Sequence, residues 1–143
     1  MKKLVIATLA STLGLSALAA EMTVHKSPYC GCCTGWVEIM EDKGHELTVI
    51  ETENVNDIKV ALGITPNLAS CHTVEADDYF FEGHIPEAEI VRFLENPPAG
   101  AVGLTVPGMP MMSPGMAPEG ETYRDFDVLL VREDGSTEVY ASY

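Results

Sequence analysis

Apolar and polar positions in the first half of the chain predict two strand-to-helix units. Alternation predicts a strand at Met22–Lys26, and apolar residues at helical spacing predict a helix from about Cys32 that stops at Gly44. A second strand is predicted at Leu47–Ile50, before a helix through Ile58–Leu62. This half of the chain therefore has the pattern of an α/β protein.

The next segment predicts a hairpin followed by a helix. Ser70–Glu75 and Tyr79–Glu82 read as two short strands around a polar turn. Pro86 then opens a helix whose apolar stripe consists of Ile90, Val91, Phe93 and Leu94. The predicted order up to this point is βαβαββα.

The remainder of the chain differs in composition. Asn96–Gly120 contains six prolines and five glycines, so neither a helix nor a regular strand is expected to run far through it. Phe126–Arg132 and Thr137–Tyr140 then predict a closing β-hairpin. The prediction is thus a βαβαββα core, a Pro/Gly/Met-rich loop and a C-terminal hairpin.

The chain has four cysteines, and three of them lie within four consecutive positions. Cys30, Cys32 and Cys33 lie at the first strand-to-helix turn, and Cys71 follows much later. A cysteine motif at that turn of a βαβαββα chain predicts a thioredoxin-like fold. The positive end of the helix dipole favours thiolates, which attack disulfides and bind metals.

Several roles remain open for these cysteines. Cys30 and Cys33 have the C-x-x-C spacing of a redox dithiol, and they are predicted catalytic residues only if the protein is redox-active. Cys32 adds a third thiolate, which favours a soft metal, Cu(I) above all. Two structural disulfides are the default alternative in a small exported domain, and zinc is a weaker competitor because the spacing does not match its usual pattern.

Histidines and methionines supply further candidate ligands. His72 adjoins Cys71, and His84 precedes the third predicted helix, although neighbours in a strand point to opposite faces. Four methionines within eight residues lack helical or strand spacing, and thioether sulfur is a weak ligand for Cu(I). The alternative is an apolar loop packed over the domain. The candidate thioether ligands are Met109, Met111 and Met116.

The first twenty residues predict an export signal that is cleaved near Ala19 or Ala20. Two lysines precede an apolar stretch that ends in small residues, and its shortness argues against a membrane anchor. We therefore expect one periplasmic domain over residues 21–143, with no membrane insertion after cleavage. Twenty-two acidic against eight basic residues give a net charge of −14, which excludes nucleic acid and anionic lipid as partners.

With these residues in view, the chain resembles the CopG-like family of exported copper-handling proteins. The resemblance implies a thioredoxin-like, copper-binding protein of copper resistance or homeostasis, with redox change as a further activity. Ser70-Cys71 occupies the place where thioredoxins have a proline, and Met112 stands where the family usually has glycine. The matching stretches are Pro28-Tyr29-Cys30-Gly31-Cys32-Cys33, Ser70-Cys71-His72-Thr73, Glu82-Gly83-His84-Ile85-Pro86, Gly103–Pro110 and Ser113–Met116.

The sequence thus leads to one main hypothesis and two rivals. The main hypothesis is a periplasmic protein that binds one or more Cu(I) ions through its four cysteines and exchanges copper or electrons with a periplasmic partner protein. One rival is a metal-independent thiol-disulfide oxidoreductase. The other is a structural domain held by two permanent disulfides.

Overall fold

The computed structural model describes residues 21–143, so the predicted signal peptide lies outside the described residues. Within them, seven strands and three helices follow the predicted order, with one further strand. None of the described helices is long and apolar enough to cross a membrane. The elements are β1 (Met22–Lys26), α1 (Gly31–Asp42), β2 (Leu47–Glu51), α2 (Val55–Ala61), β3 (His72–Ala76), β4 (Tyr79–Glu82), α3 (Glu87–Glu95), β5 (Ala101–Thr105), β6 (Asp127–Arg132) and β7 (Thr137–Ser142).

All seven strands form a single sheet in the order β2-β1-β3-β4-β5-β6-β7. β1 pairs with β2 in parallel and with β3 in the antiparallel direction, and β4 continues the hairpin from β3. The first residue of β3, His72, is paired with the last residue of β1, Lys26. This register places the segment before β3 beside the turn that follows β1.

The main core lies on one face of the sheet. A row of aligned apolar residues crosses five strands, and each is at most 1% exposed: Val24, Val74, Phe81, Leu104 and Leu130. Trp36 and Met40 of α1 and Ile90 and Phe93 of α3 belong to the same core cluster. The apolar stripes of the two predicted helices therefore cover this face.

The opposite face carries a buried polar row on the same strands. Thr73, Glu82 and Thr105 are aligned across β3, β4 and β5, and none of them is exposed. Helix α2 contributes Lys59, whose Nζ atom donates to Thr73 and Glu82. Part of this second face is therefore polar and closed to solvent.

Strand β5 corrects the expectation for the Pro/Gly-rich segment. It pairs in parallel with β4 and antiparallel with β6, so it joins the closing hairpin to the sheet. At Gly103 a Cβ atom would lie 2.0 Å from the carbonyl oxygen of Phe80, which explains a glycine within this strand. Gly103 allows two strands to approach closely, whereas the glycine content of this segment predicts irregular structure.

Candidate metal centre

The cysteine motif lies at the turn between β1 and α1, as predicted. Cys30 is the N-cap residue of α1 in an extended conformation, and its Sγ atom accepts from the backbone N–H of Cys33 at 3.3 Å. A side-chain acceptor at the N-cap satisfies an N–H group that the helix leaves unpaired. Local structure therefore holds the sulfur of Cys30 over the positive end of the helix.

Cys30 and Cys33 form a disulfide, with Cα atoms 5.3 Å apart, while Cys32 and Cys71 are free. Cys33 is fully buried and Cys30 is partly exposed. The Sγ atoms of Cys30 and Cys32 are 3.5 Å apart, so a free thiol adjoins the disulfide. In this state two of the four candidate thiolate ligands are covalently paired.

Cys71 completes the cluster from the other side of the turn. It lies just before β3, and the sulfur atoms of Cys30, Cys32, Cys33 and Cys71 are all within 4.8 Å of one another. The structure therefore brings together the four cysteines selected from the sequence. Cys71 is far from the other three in sequence, and the pairing of β1 with β3 brings it next to them.

His84 is oriented toward Cys71. Its Nε2 atom lies 2.8 Å from the Sγ atom of Cys71, and its Nδ1 atom lies 2.7 Å from the carbonyl oxygen of Pro114. Because a carbonyl only accepts, Nδ1 carries the proton and Nε2 of the neutral ring presents its lone pair to the sulfur. His84 thus has the arrangement of a metal-binding histidine held by an outer hydrogen bond.

His72 also reaches this region. Its Nδ1 atom is 3.6 Å from the Sγ atom of Cys71, and its ring packs between Trp36 and His84, with centroid distances of 4.8 and 5.0 Å. Cys71 precedes β3, so strand alternation does not separate it from its neighbour. The buried Nε2 atom of His72 has no hydrogen-bond partner among residues 21–143.

The methionine-containing loop crosses the same end of the molecule. Its Gly108 N–H donates to the carbonyl of Ala69 at 2.9 Å, and Gly115 lies against α1, where a Cβ would be 2.6 Å from the carbonyl oxygen of Cys32. Of the predicted thioether ligands, Met109 and Met111 are 55% and 71% exposed, and Met116 is partly buried. The loop is thus anchored beside the cysteines, while two of its sulfur side chains face solvent.

Burial controls the protonation of the site. Burial, with the nearby Cys32 as a smaller cause, raises the pKa of Cys71 to about 12. Burial also lowers the pKa of His84, and it lowers the pKa of His72 well below the usual range, with His84, Lys59 and Lys26 adding to the effect. Both imidazoles are therefore neutral, the form that binds metals.

The donor set fits a soft metal ion. Two overlapping groups of side chains bring potential ligand atoms within 4.8 Å: the four cysteines, and Cys71 with His72 and His84. Thiolate and imidazole donors suit Cu(I) and Zn²⁺, and it is Nδ1 of His72 that lies near the sulfur of Cys71. The predicted ligand roles of the individual residues stay predictions.

Sequence reasoning did not select the residues that support Cys71. Thr73 and Glu82 appear there only within predicted strands and matching stretches, and Lys59 does not appear, yet these three form a buried polar group next to the segment that carries Cys71. His84 is oriented by the backbone carbonyl oxygen of Pro114, and a backbone contact of this kind cannot be predicted from residue type. A charged residue ending the apolar run Tyr79–Phe81 was the one available signal for Glu82.

Comparison with known proteins identifies the chain's relatives. Two solved structures, described as the copper resistance protein CopG in forms 1 and 2, are each 35% identical to this chain. Each match covers 87% of this chain and 98% of the other, with TM-scores of 0.79 for form 1 and 0.78 for form 2. No curated protein matches the sequence. A family described as a protein of unknown function, DUF411, matches residues 68–116. At this identity and coverage, the chain belongs to the CopG-like family.

Proposed function

We propose that this protein binds Cu(I) in the periplasm and serves copper resistance or homeostasis. Cys30, Cys32, Cys33 and Cys71 supply the thiolates for one or more copper ions. Auxiliary ligands come from His72, His84, Met109, Met111 and Met116. A periplasmic copper-transfer or electron-transfer protein is the expected partner.

The observation that carries this proposal is the gathering of four cysteine sulfur atoms within 4.8 Å of one another. Thiolates and thioethers are the donors that favour Cu(I) over harder ions. The description of the two similar structures as copper resistance proteins supports copper in particular. Four thiolates exceed the needs of a single Cu(I) ion, which favours bridging sulfur.

The disulfide makes copper binding dependent on redox state. Opening the Cys30–Cys33 bond takes two electrons and two protons, which a dithiol reductant supplies while it becomes a disulfide. The two thiols then lose their protons when they bind a metal ion. Oxidation of Cys30 and Cys33 removes two ligands, so the oxidised protein binds copper less well than the reduced protein.

The proposal includes the wider organisation of the chain. Residues 1–20 act as a cleaved signal peptide, and residues 21–143 form one thioredoxin-like metal-binding domain. The strand order β2-β1-β3-β4, with the C-x-x-C turn after β1, supports this description of the core. The mature protein does not insert into the membrane.

Anaerobic titration of the reduced protein with Cu(I), in competition with a chelator, tests the proposal. We expect tight binding by the reduced wild type, and lower stoichiometry and affinity for the double variant Cys30→Ser, Cys33→Ser. The oxidised wild type serves as a matched control of the same sequence. Equal stoichiometry and affinity in the double variant would show that these cysteines are not ligands.

A second candidate function is thiol-disulfide exchange without a metal. The observation that favours it is the disulfide at C-x-x-C spacing, with partly exposed Cys30 as the attacking sulfur and buried Cys33 as the resolving one. The reduced pair would give two electrons and two protons to a substrate disulfide. Metal-free protein that fails to reduce a model disulfide such as insulin would exclude this activity.

A further inference from the structure

One carboxylate binds both ends of the segment that carries Cys71. The Oε1 atom of Glu82 accepts from the backbone N–H of Ser70 at 2.6 Å, and its Oε2 atom accepts from the hydroxyl of Thr73 at 2.6 Å. Cys71 and His72 lie between these two contacts. Ser70 and Cys71 are outside any helix or strand, so no regular ladder fixes them.

Lys59 holds this carboxylate in place from α2. Its Nζ atom forms an ion pair with Oε1 of Glu82 and donates to the hydroxyl of Thr73 at 2.8 Å. Lys59 is 5% exposed, and neither Glu82 nor Thr73 is exposed at all. The two oxygens of Glu82 therefore have fixed partners, and the carboxylate cannot turn away from Ser70.

Stability alone does not account for a buried ion pair at this position. Removing two charges from water has a large cost, and apolar residues of similar volume often give equal or greater stability. A charged pair does what an apolar pair cannot, because it binds the backbone of Ser70 and the side chain of Thr73 at once. The ion pair therefore serves to place Cys71 and His72, the residues between these two contacts.

We propose that Glu82, held by Lys59, is a positioning residue that fixes the Sγ atom of Cys71 opposite Cys32 and beside Nε2 of His84. The inference rests on the proposed function, because it concerns the copper affinity of that same site. The same positioning operates in the metal-free protein. Without the carboxylate, the backbone N–H of Ser70 loses its acceptor, while His72 and Thr73 stay paired within β3 and the Ser70 hydroxyl still donates to the Gly108 carbonyl. Ser70 and Cys71 then gain freedom of movement, and Cys71 becomes more accessible to reagents.

The test replaces the ion pair with apolar residues of similar size, in the double variant Lys59→Met, Glu82→Leu. We expect its Cu(I) affinity to fall about 10- to 100-fold, the usual effect of removing a residue that orients a ligand. We also expect faster alkylation of Cys71 in the metal-free, disulfide-bonded protein, mapped by mass spectrometry. The variant Lys59→Met, Glu82→Gln retains an oxygen acceptor for Ser70 and should recover part of both properties, and it serves in place of the first variant if that one fails to fold.

Glu75→Gln is the matched control. Glu75 is an acidic residue of β3, the strand next to that of Glu82, and binds Nε2 of His25 at 2.7 Å, but it forms no hydrogen bond with residues 70–73. Wild-type copper affinity and wild-type Cys71 alkylation in a folded double variant would overturn the inference. Failure of the wild type to bind Cu(I) would instead overturn the proposed function, while the alkylation rates would still decide the role of Glu82.

Discussion

The Nε2 atom of His84 lies 2.8 Å from the Sγ atom of Cys71, thirteen residues earlier in the chain. This contact joins the two candidate ligand groups, because Cys71 is a member of both. The opposite ring nitrogen of His84 donates to the Pro114 carbonyl at 2.7 Å. One imidazole thus connects the cysteine cluster to the loop anchored beside it.

Replacing His84 with phenylalanine keeps a buried ring and removes both nitrogen atoms. We expect a loss of about 1–3 kcal/mol in the free energy of unfolding, because the Pro114 carbonyl loses its buried donor. Cu(I) affinity should fall at least about tenfold. Denaturant unfolding and chelator competition measure the two effects. His45→Phe is the control, because His45 binds the Glu87 carboxylate and belongs to neither ligand group. Unchanged affinity in folded His84→Phe would contradict a role in copper binding.

The raised pKa of Cys71 predicts a loss of stability at alkaline pH. A thiol in the unfolded chain ionises near pH 9, whereas burial raises the pKa of Cys71 in the folded protein to about 12. The folded state therefore keeps a proton that the unfolded state loses. The stabilising contribution is complete below about pH 9 and declines as the pH rises toward 12.

Urea denaturation of the metal-free protein at about pH 8 and pH 10.5 measures this effect. Lysines and tyrosines also titrate in this range, so the informative quantity is the difference between wild type and Cys71→Ser. We expect the wild type to lose more stability than the variant over this interval. An equal loss in both proteins would show that Cys71 ionises at its ordinary pKa.

The approach of the loop to α1 predicts a strong effect of Gly115→Ala. Gly115 has a φ angle of +80°, and a Cβ atom there would lie 2.6 Å from the carbonyl oxygen of Cys32 and 2.7 Å from the N atom of Trp36. We expect a loss of about 2–4 kcal/mol, from backbone strain together with overpacking.

Gly120→Ala is the matched control for this glycine. Gly120 has nearly the same φ angle, +82°, but no atom within 4 Å of a Cβ at that position. It should lose only the roughly 1 kcal/mol of left-handed strain. Denaturant unfolding measures both losses. Equal losses in the two variants would mean that the loop moves away from α1 without loss of stability.

The exposed methionines allow their ligand role to be separated from packing. Met109→Leu with Met111→Leu removes two thioethers from side chains that are more than half exposed. Stability should change by less than about 0.5 kcal/mol, as is usual for surface substitutions. Stopped-flow transfer of Cu(I) to a chelator should become faster, because two weak ligands are gone. A transfer rate equal to that of the wild type would remove Met109 and Met111 from the ligand set.

Local pattern was sufficient for most of the elements. The predicted elements β1, α1, β2, α2, β3, β4, α3 and the closing hairpin all occur near their predicted bounds, because strand alternation and helical stripes report which residues face a core. β5 was missed because glycine and proline dominate its surroundings. Its existence depends on pairing with β4 and β6, which composition does not record.

Residue types alone account for the donor chemistry of the site. Four cysteines, two nearby histidines and a methionine-rich loop provide soft donors whatever their arrangement, since ligand preference belongs to the atoms. Tertiary structure decided how these donors meet. Antiparallel pairing of β1 with β3 brings Cys71 to the first turn, and burial keeps its thiol protonated. Only the fold could place the Glu82 carboxylate beneath Ser70 and the Pro114 carbonyl beside His84, because both contacts join residues far apart in the chain.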